Sequence, residues 1–162
     1  SSMERFDASS GQWSAAAAMS TARTYFCTCV IAGELYVTGG MGDDSDRLSS
    51  VERYSPANDT WSTMAPLPAA RFQHAAVAIG SAMYVLGGYQ EGGGATASVL
   101  KFDSVQGTLV TVLLSDLDGS AAAWSMHHAP SAAALEFLKL VEKLLGGSPS
   151  SSLSSEMAVL VH

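Results

Sequence analysis

Apolar and polar residues alternate in short runs along the first two thirds of the chain, and the runs are separated by turn residues. In the best-formed stretch, TYFCTCVIAG is rich in β-branched and aromatic residues and predicts a strand over about 25–31. Gly33 and Glu34 supply a turn, and ELYVTGG follows as a second strand closed by a glycine pair. MGDDSDRLSS is a polar loop, SSVERY a third strand, SPANDT a turn and TWSTM a short fourth strand halted by Pro66 and Pro68. The same order returns immediately: HAAVAI, MYVLGG across Gly80-Ser81, SVLKFD, then a last strand over 108–113. MERF and QWSA at the beginning read as the last two strands of one more unit. Ten antiparallel strands are predicted, as half a unit and two whole ones.

The units are spaced without a gap. Trp13 and Trp61 lie 48 residues apart, as do Phe6 and Tyr54, Arg23 and Arg71, Tyr36 and Tyr84, and Gly39 and Gly87. A period of about 40–50 residues is the mark of an array of supersecondary units, and four antiparallel strands per unit is the anatomy of one β-propeller blade. A third copy starts and then fades. Phe102 takes the place of the aromatic residue, but Leu109 stands where tryptophan is expected and Gly119 where arginine is expected. The pattern therefore divides the chain into 1–20 (the end of a preceding unit), 21–68, 69–114, a loop and helix over 115–147, and a Ser-rich linker and tail over 148–162. In SAAALEFLKLVEKLL, residues 131–145, Ser131 can cap a helix and Gly146-Gly147 can end it. Leu135, Leu138, Val141 and Leu145 share one face, while Glu136, Lys139 and Lys143 lie on another.

The order arginine, apolar strand, Tyr-Val-x-Gly-Gly, then an aromatic residue and a tryptophan seven positions later resembles the kelch repeat. Arg71, Tyr84, Gly87 and Gly88 fit it, with Tyr54 and Trp61; Arg23, Tyr36, Gly39, Gly40 and Trp13 fit it again, with Phe6 in place of tyrosine. The resemblance covers about residues 3–107. It implies an all-β fold, here an incomplete kelch β-propeller with a C-terminal helical segment. It also implies a protein-binding role rather than an enzymatic one. In that family the commonest role is substrate recognition for a cullin-type ubiquitin ligase, through an upstream dimerising BTB domain; a cytoskeletal, actin-binding scaffold is the alternative. Either points to the cytoplasm. The tyrosines, tryptophans and glycine pairs are expected to hold blades together. LEFLKLVEKLLGG also resembles, faintly, the second helix of an ankyrin repeat; the other reading is a helix covering the open edge of the last blade.

Composition narrows the classes. Residues 1–114 hold six Lys or Arg against ten Asp or Glu, and the whole chain carries −7. No basic stripe exists, so nucleic acid is not expected as a ligand. The apolar runs are shorter than the roughly 20 residues that cross a bilayer. Because the sequence opens in the middle of a unit, the lack of a signal peptide says nothing about destination. Cys27 and Cys29 project to one face of a strand and read as small buried side chains. Asp43, Asp44 and Asp46 lack the order of an EF-hand loop, as does the Asp116–Asp118 stretch. His127-His128 has no ligand at metal spacing, and His74, at a strand start, reads as a packed histidine. No catalytic triad, P-loop or copper-oxidase set is legible, so no cofactor and no metal are expected.

Strand parity selects a surface. The segment entering the first strand and the loop between the second and third emerge at the same end of a unit. Arg23 and Arg71 belong to the first kind of segment; Arg47, Tyr89 and Gln90 lie in loops of the second kind, 41–48 and 89–97. These five are the candidate partner contacts. The arginines suit an acidic or phosphorylated segment through their bidentate fork, or else they tie loop backbone to its neighbour. Two and a half blades would leave sheet edges open, so further blades or domains of a parent protein are expected to be required.

Overall fold

A computed structural model describes residues 2–112 except 91, 93 and 106. The predicted last residue of the final strand, the loop and helix of 115–147 and the tail of 148–162 lie outside the described residues.

The elements follow the alternation. β1 (Met3–Asp7) and β2 (Gln12–Ala16) form a hairpin. β3 (Cys27–Ile31), β4 (Glu34–Thr38), β5 (Val51–Ser55) and β6 (Thr60–Met64) form a four-stranded antiparallel sheet in chain order, here sheet A. β7 (Arg71–Phe72) precedes β8 (Ala75–Ile79) and β9 (Ala82–Leu86); β10 (Tyr89–Gln90) precedes β11 (Val99–Asp103) and β12 (Thr108–Val112). β8, β9, β11 and β12 make the second antiparallel sheet, sheet B, and β7 pairs with β10 apart from it. The ten predicted strands are all present, and residues 25–39 and 73–87 contain no helix.

Two details differ from the sequence reading. The first strand of sheet A starts at Cys27 rather than 25, because Tyr25 takes a left-handed φ of 53° that breaks extended pairing. The short pair β7–β10 was not foreseen; two residues carry no periodic signal.

The 48-residue period survives as register. Phe6 lies opposite Trp13, Tyr54 opposite Trp61 and Phe102 opposite Leu109, each across the third and fourth strand positions of its unit. The rings in the first two pairs sit 5.2 Å apart and tilted, a cross-strand aromatic contact. Sheets A and B meet face to face. Cys29, Ile31, Tyr36, Val51 and Leu67 from one side and Ala76, Met83, Val85, Leu100 and Phe102 from the other are buried in one cluster, and the Tyr36 and Phe102 rings sit 6.0 Å apart. These residues come from alternate positions of each strand, as a two-residue side-chain period requires.

The glycine pair closing β4 is fixed by what surrounds it. A Cβ on Gly39 would lie 2.5 Å from the Arg71 carbonyl oxygen, and one on Gly40 would lie 2.6 Å from that of Thr24. Both residues also have positive φ, 56° and 97°. Only glycine lets the backbone of the next unit, at Gly39, and of its own unit's entering segment, at Gly40, approach so closely.

Candidate partner-binding surface

Arg23 and Arg71 occupy equivalent places and do equivalent work. The Arg23 guanidinium donates to the Gly39 carbonyl at 2.8 Å and to the Ser50 carbonyl and hydroxyl at 3.3 and 3.1 Å. Arg71 donates to the Gly87 carbonyl at 2.9 Å and to the Ser98 hydroxyl at 3.3 Å. Each therefore holds the carbonyl of its own unit's glycine pair. Arg23 is 8% exposed and Arg71 1%. The expectation that they present a fork to a partner does not fit this placement. Their charge is turned inward onto backbone, which was the other reading of these residues.

Their surroundings then diverge. Arg23 forms a buried ion pair with Glu52. The other Glu52 oxygen accepts from the Ser20 amide at 2.9 Å and the Ser20 hydroxyl at 2.8 Å. Burial pushes the Glu52 carboxyl up, but the bonds from Ser20 and Arg23 outweigh it and hold it below its usual range. Leu100 stands where a second Glu52 is expected and Pro68 where a second Ser20 is expected. No ion pair to Arg71 is formed among the described residues, and burial lowers its pKa.

The remaining three candidates are brought together. β7–β10 pairing sets Phe72 opposite Tyr89 and Arg71 opposite Gln90. The Phe72 and Tyr89 rings stack at 5.5 Å with 25° between planes, and Tyr25 adds a third ring 6.4 Å from Phe72. The Arg47 guanidinium carbon sits 5.5 Å from the Phe72 ring centre, a cation–π contact, and Arg47 donates to the Gln90 carbonyl at 3.0 Å. Arg47 thus reaches from the sheet A loop across to the β7–β10 pair of the next unit. Tyr25 is 56% exposed. Phe72 and Tyr25 were missed from sequence. They follow the repeat arginine by one and two positions, and only the approach of two units' entering segments makes them neighbours. Tyr25 and Gln73 hold the same place in their units and share a left-handed φ of 53° and 51°, which no residue pattern in the sequence announces.

Asp43, Asp44 and Asp46 precede Arg47 in the same loop and are exposed on a single 3-10 turn, Asp43–Ser45, and its exit. A cavity of about 300 Å³ beside them is lined by Met19, Arg23, Thr24, Phe26, Met41 and Asp43, among others. Among the described residues no three His, Cys, Asp or Glu side chains are grouped to hold a metal ion. No described helix is long and apolar enough to cross a membrane.

Below the surface, His74 is buried, with Nε2 2.8 Å from the Thr38 hydroxyl. Burial and the neighbouring Arg71 charge push its pKa down to about 3, so it is neutral at physiological pH. Cys27 donates its thiol to the His74 carbonyl at 2.6 Å. Both cysteines are free, and burial pushes their thiols up to about 11 and about 12, which leaves them unreactive.

The sequence matches the kelch motif over residues 22–68 and again over 70–108, together more than half of the chain. The chain belongs to the kelch-motif family. No curated protein matches it. In kelch terms, sheets A and B are consecutive repeats, and the surface built from Arg47, Phe72 and Tyr89 lies at the loop end of the seam between them. The kelch markers have visible tasks. Tyr36 is buried in the seam; Tyr54 donates its hydroxyl to Asp59 at 2.7 Å; Trp61 donates its indole N–H to the Ala17 carbonyl at 2.7 Å. Tyr84 is half-buried, Gly87 and Gly88 are buried, and Gly88 would clash through a Cβ with the Phe72 carbonyl at 2.8 Å. Trp13 packs on Phe6 yet stays 66% exposed on the hairpin.

Proposed function

We propose that the chain is the recognition part of a larger kelch-repeat protein, binding a protein segment at the loop end through Tyr25, Arg47, Phe72, Tyr89 and Gln90. The observation that carries this reading is the aromatic–cation platform itself. It spans two repeats, and a 56%-exposed tyrosine is at its edge. Aromatic and arginine side chains clustered at a surface are what anchors binding interfaces.

The charge around the platform bears on the partner. Burial of Arg23 and Arg71 removes the two cations on which an acidic or phosphorylated partner depended. Arg47 is engaged by Phe72 and Gln90, whereas Asp43, Asp44 and Asp46 are exposed. This arrangement supports a basic segment that also offers an apolar side chain to the rings. In our reading the chain does no chemistry of its own and works in the cytoplasm; selecting substrates for a cullin-type ubiquitin ligase, through a BTB domain elsewhere in the parent protein, is the role we assign it.

Binding of the wild-type chain to an array of random peptides tests the site. Tyr25→Ala with Tyr89→Ala is expected to weaken the selected peptides at least tenfold, and Asp43→Asn with Asp44→Asn and Asp46→Asn to remove their preference for Lys and Arg. Equal binding by wild type and the tyrosine variant would remove the platform from consideration. Loss on Arg47→Ala, with the aspartate variant unaffected, would restore an acidic partner.

A further inference from the structure

Arg47 shows how a cation is seated at the loop end of a repeat. Phe72 and Tyr89 lie opposite each other in the β7–β10 pair, and the Arg47 guanidinium sits by the Phe72 ring and donates to the Gln90 carbonyl at 3.0 Å. Forty-eight residues earlier, Thr24, Met41 and Gly42 hold the places of Phe72, Tyr89 and Gln90. The backbone there follows the same course. Thr24 bridges to Met41 as Phe72 pairs with Tyr89. The Gly42 amide donates to the Asp46 carbonyl at 2.8 Å, as the Gln90 amide does to the Gly94 carbonyl at 3.1 Å. At this earlier place lies the cavity of about 300 Å³, and Thr24, Met41 and Gly42 all line it. A threonine stands where the second repeat has the Phe72 ring, which leaves room for a larger group.

We infer that this cavity binds an arginine side chain presented by a protein segment. The inference rests on the loop end being the partner surface and names a second contact there. Tyr25 of the aromatic platform lies between Thr24 and Phe26 of the cavity, so one bound segment can reach both. The lining suits a guanidinium. Its flat faces are weakly hydrated and pack on apolar groups, here the Phe26 ring and the Met19 and Met41 thioethers. Its N–H groups need acceptors in one plane, and the candidates are the Gly42 carbonyl, counterpart of the one that Arg47 uses, and the Asp43 carboxylate. Asp44 and Asp46, exposed in the same loop, add attraction for a cation. Arg23 is the cation in the lining, but its side chain is fully buried and its charge is met by Glu52. Its Nε has no hydrogen-bond partner among the described residues; the same holds for Arg71 beside the seated Arg47, so that atom is not a demand for an anionic ligand.

The two methionines make the cavity observable. The full chain, carrying carbon-13 in its methionine methyl groups, is titrated with N-acetyl-arginine amide and followed by nuclear magnetic resonance. The expected result is a saturable shift of the Met19 and Met41 methyl signals, with those of Met64 and Met83 unmoved. N-acetyl-citrulline amide, of the same shape and neutral, should give no such shift. Asp43→Asn should weaken arginine amide about tenfold, through loss of a charge-assisted bond, while Asp7→Asn, which removes one negative charge at the far end of β1, should not. No saturable shift at Met19 and Met41 overturns the inference. So does an equal response to the citrulline or the lysine amide, or an affinity that Asp43→Asn leaves unchanged. The titration needs no selected peptide, so failure of the cavity and failure of the platform are read in separate experiments.

Discussion

The two seams of this array are built from different chemistry. Where the segment leaving the hairpin meets sheet A, the contact is polar. Ser20 and Arg23 converge on Glu52; Ala17 gives its N–H to Asp59 at 2.8 Å and its carbonyl to Trp61 at 2.7 Å. Where sheet A meets sheet B, the positions equivalent to Ser20 and Glu52 hold Pro68 and Leu100, and the contact has an apolar core that includes Leu100, with Tyr36 on Phe102. The changes are concerted. A proline has no N–H to donate, and a leucine has no oxygen to accept it. One repeat frame therefore accommodates two ways of joining, one centred on a buried ion pair and one that adds an apolar core to main-chain bonds.

Five measurements probe that contrast. The largest effect is expected from Phe102→Ala, which empties the apolar seam; removal of a buried aromatic ring costs about 3–5 kcal/mol, read as a drop in the urea midpoint. Glu52→Leu copies the second seam into the first but leaves Arg23 buried and Ser20 without its acceptor, a loss of about 3 kcal/mol. Combining it with Ser20→Pro should cost less than the sum of the two single changes, since the two residues share a bond.

Acid should act on both seams through different groups. His74 titrates at 6.5 when free and at about 3 when folded. The unfolded chain thus binds a proton that the folded chain refuses. The stability His74 confers is complete above pH 6.5 and is lost as pH falls toward 3, with a slope of about 1.4 kcal/mol per pH unit. Glu52, lowered in the fold, adds a second loss that starts only near its ordinary value of 4.5 and continues below it. Urea midpoints measured from pH 7 to 4 should flatten in His74→Gln above pH 5, and in Glu52→Gln only below it. The smallest effect is expected from Trp61→Phe, which keeps the ring and deletes one hydrogen bond to Ala17, about 1 kcal/mol by thermal melt. An equal loss from Glu52→Leu would mean that the polar seam contributes little beyond single bonds.

The strands, their order and their register were legible because each rests on local alternation or on the 48-residue period. Tyr54 faces Trp61 because a tight turn at 56–59 fixes which residues oppose. The roles of the arginines were not legible to the same degree. Arg23 finds Gly39, Ser50 and Glu52 between 16 and 29 residues away, and nothing in the neighbourhood of Arg23 in sequence announces carbonyls arranged to receive it. Arg47, Tyr89 and Gln90 could be chosen from loop parity. Tyr25 and Phe72 could not, because each acquires its neighbour from another repeat.

Gly39 and Gly40 carry one more consequence. The Gly40 amide donates to the Arg71 carbonyl at 2.9 Å, and that same carbonyl fills the space where Gly39 has no side chain. One repeat thus clips onto the next through main chain alone. A join of this kind is indifferent to which residues flank it, provided the glycines persist. A gene that duplicates its repeats inherits the clip with every copy, and the side chains beside it are free to drift, from a serine and a glutamate in one generation of the unit to a proline and a leucine in the next.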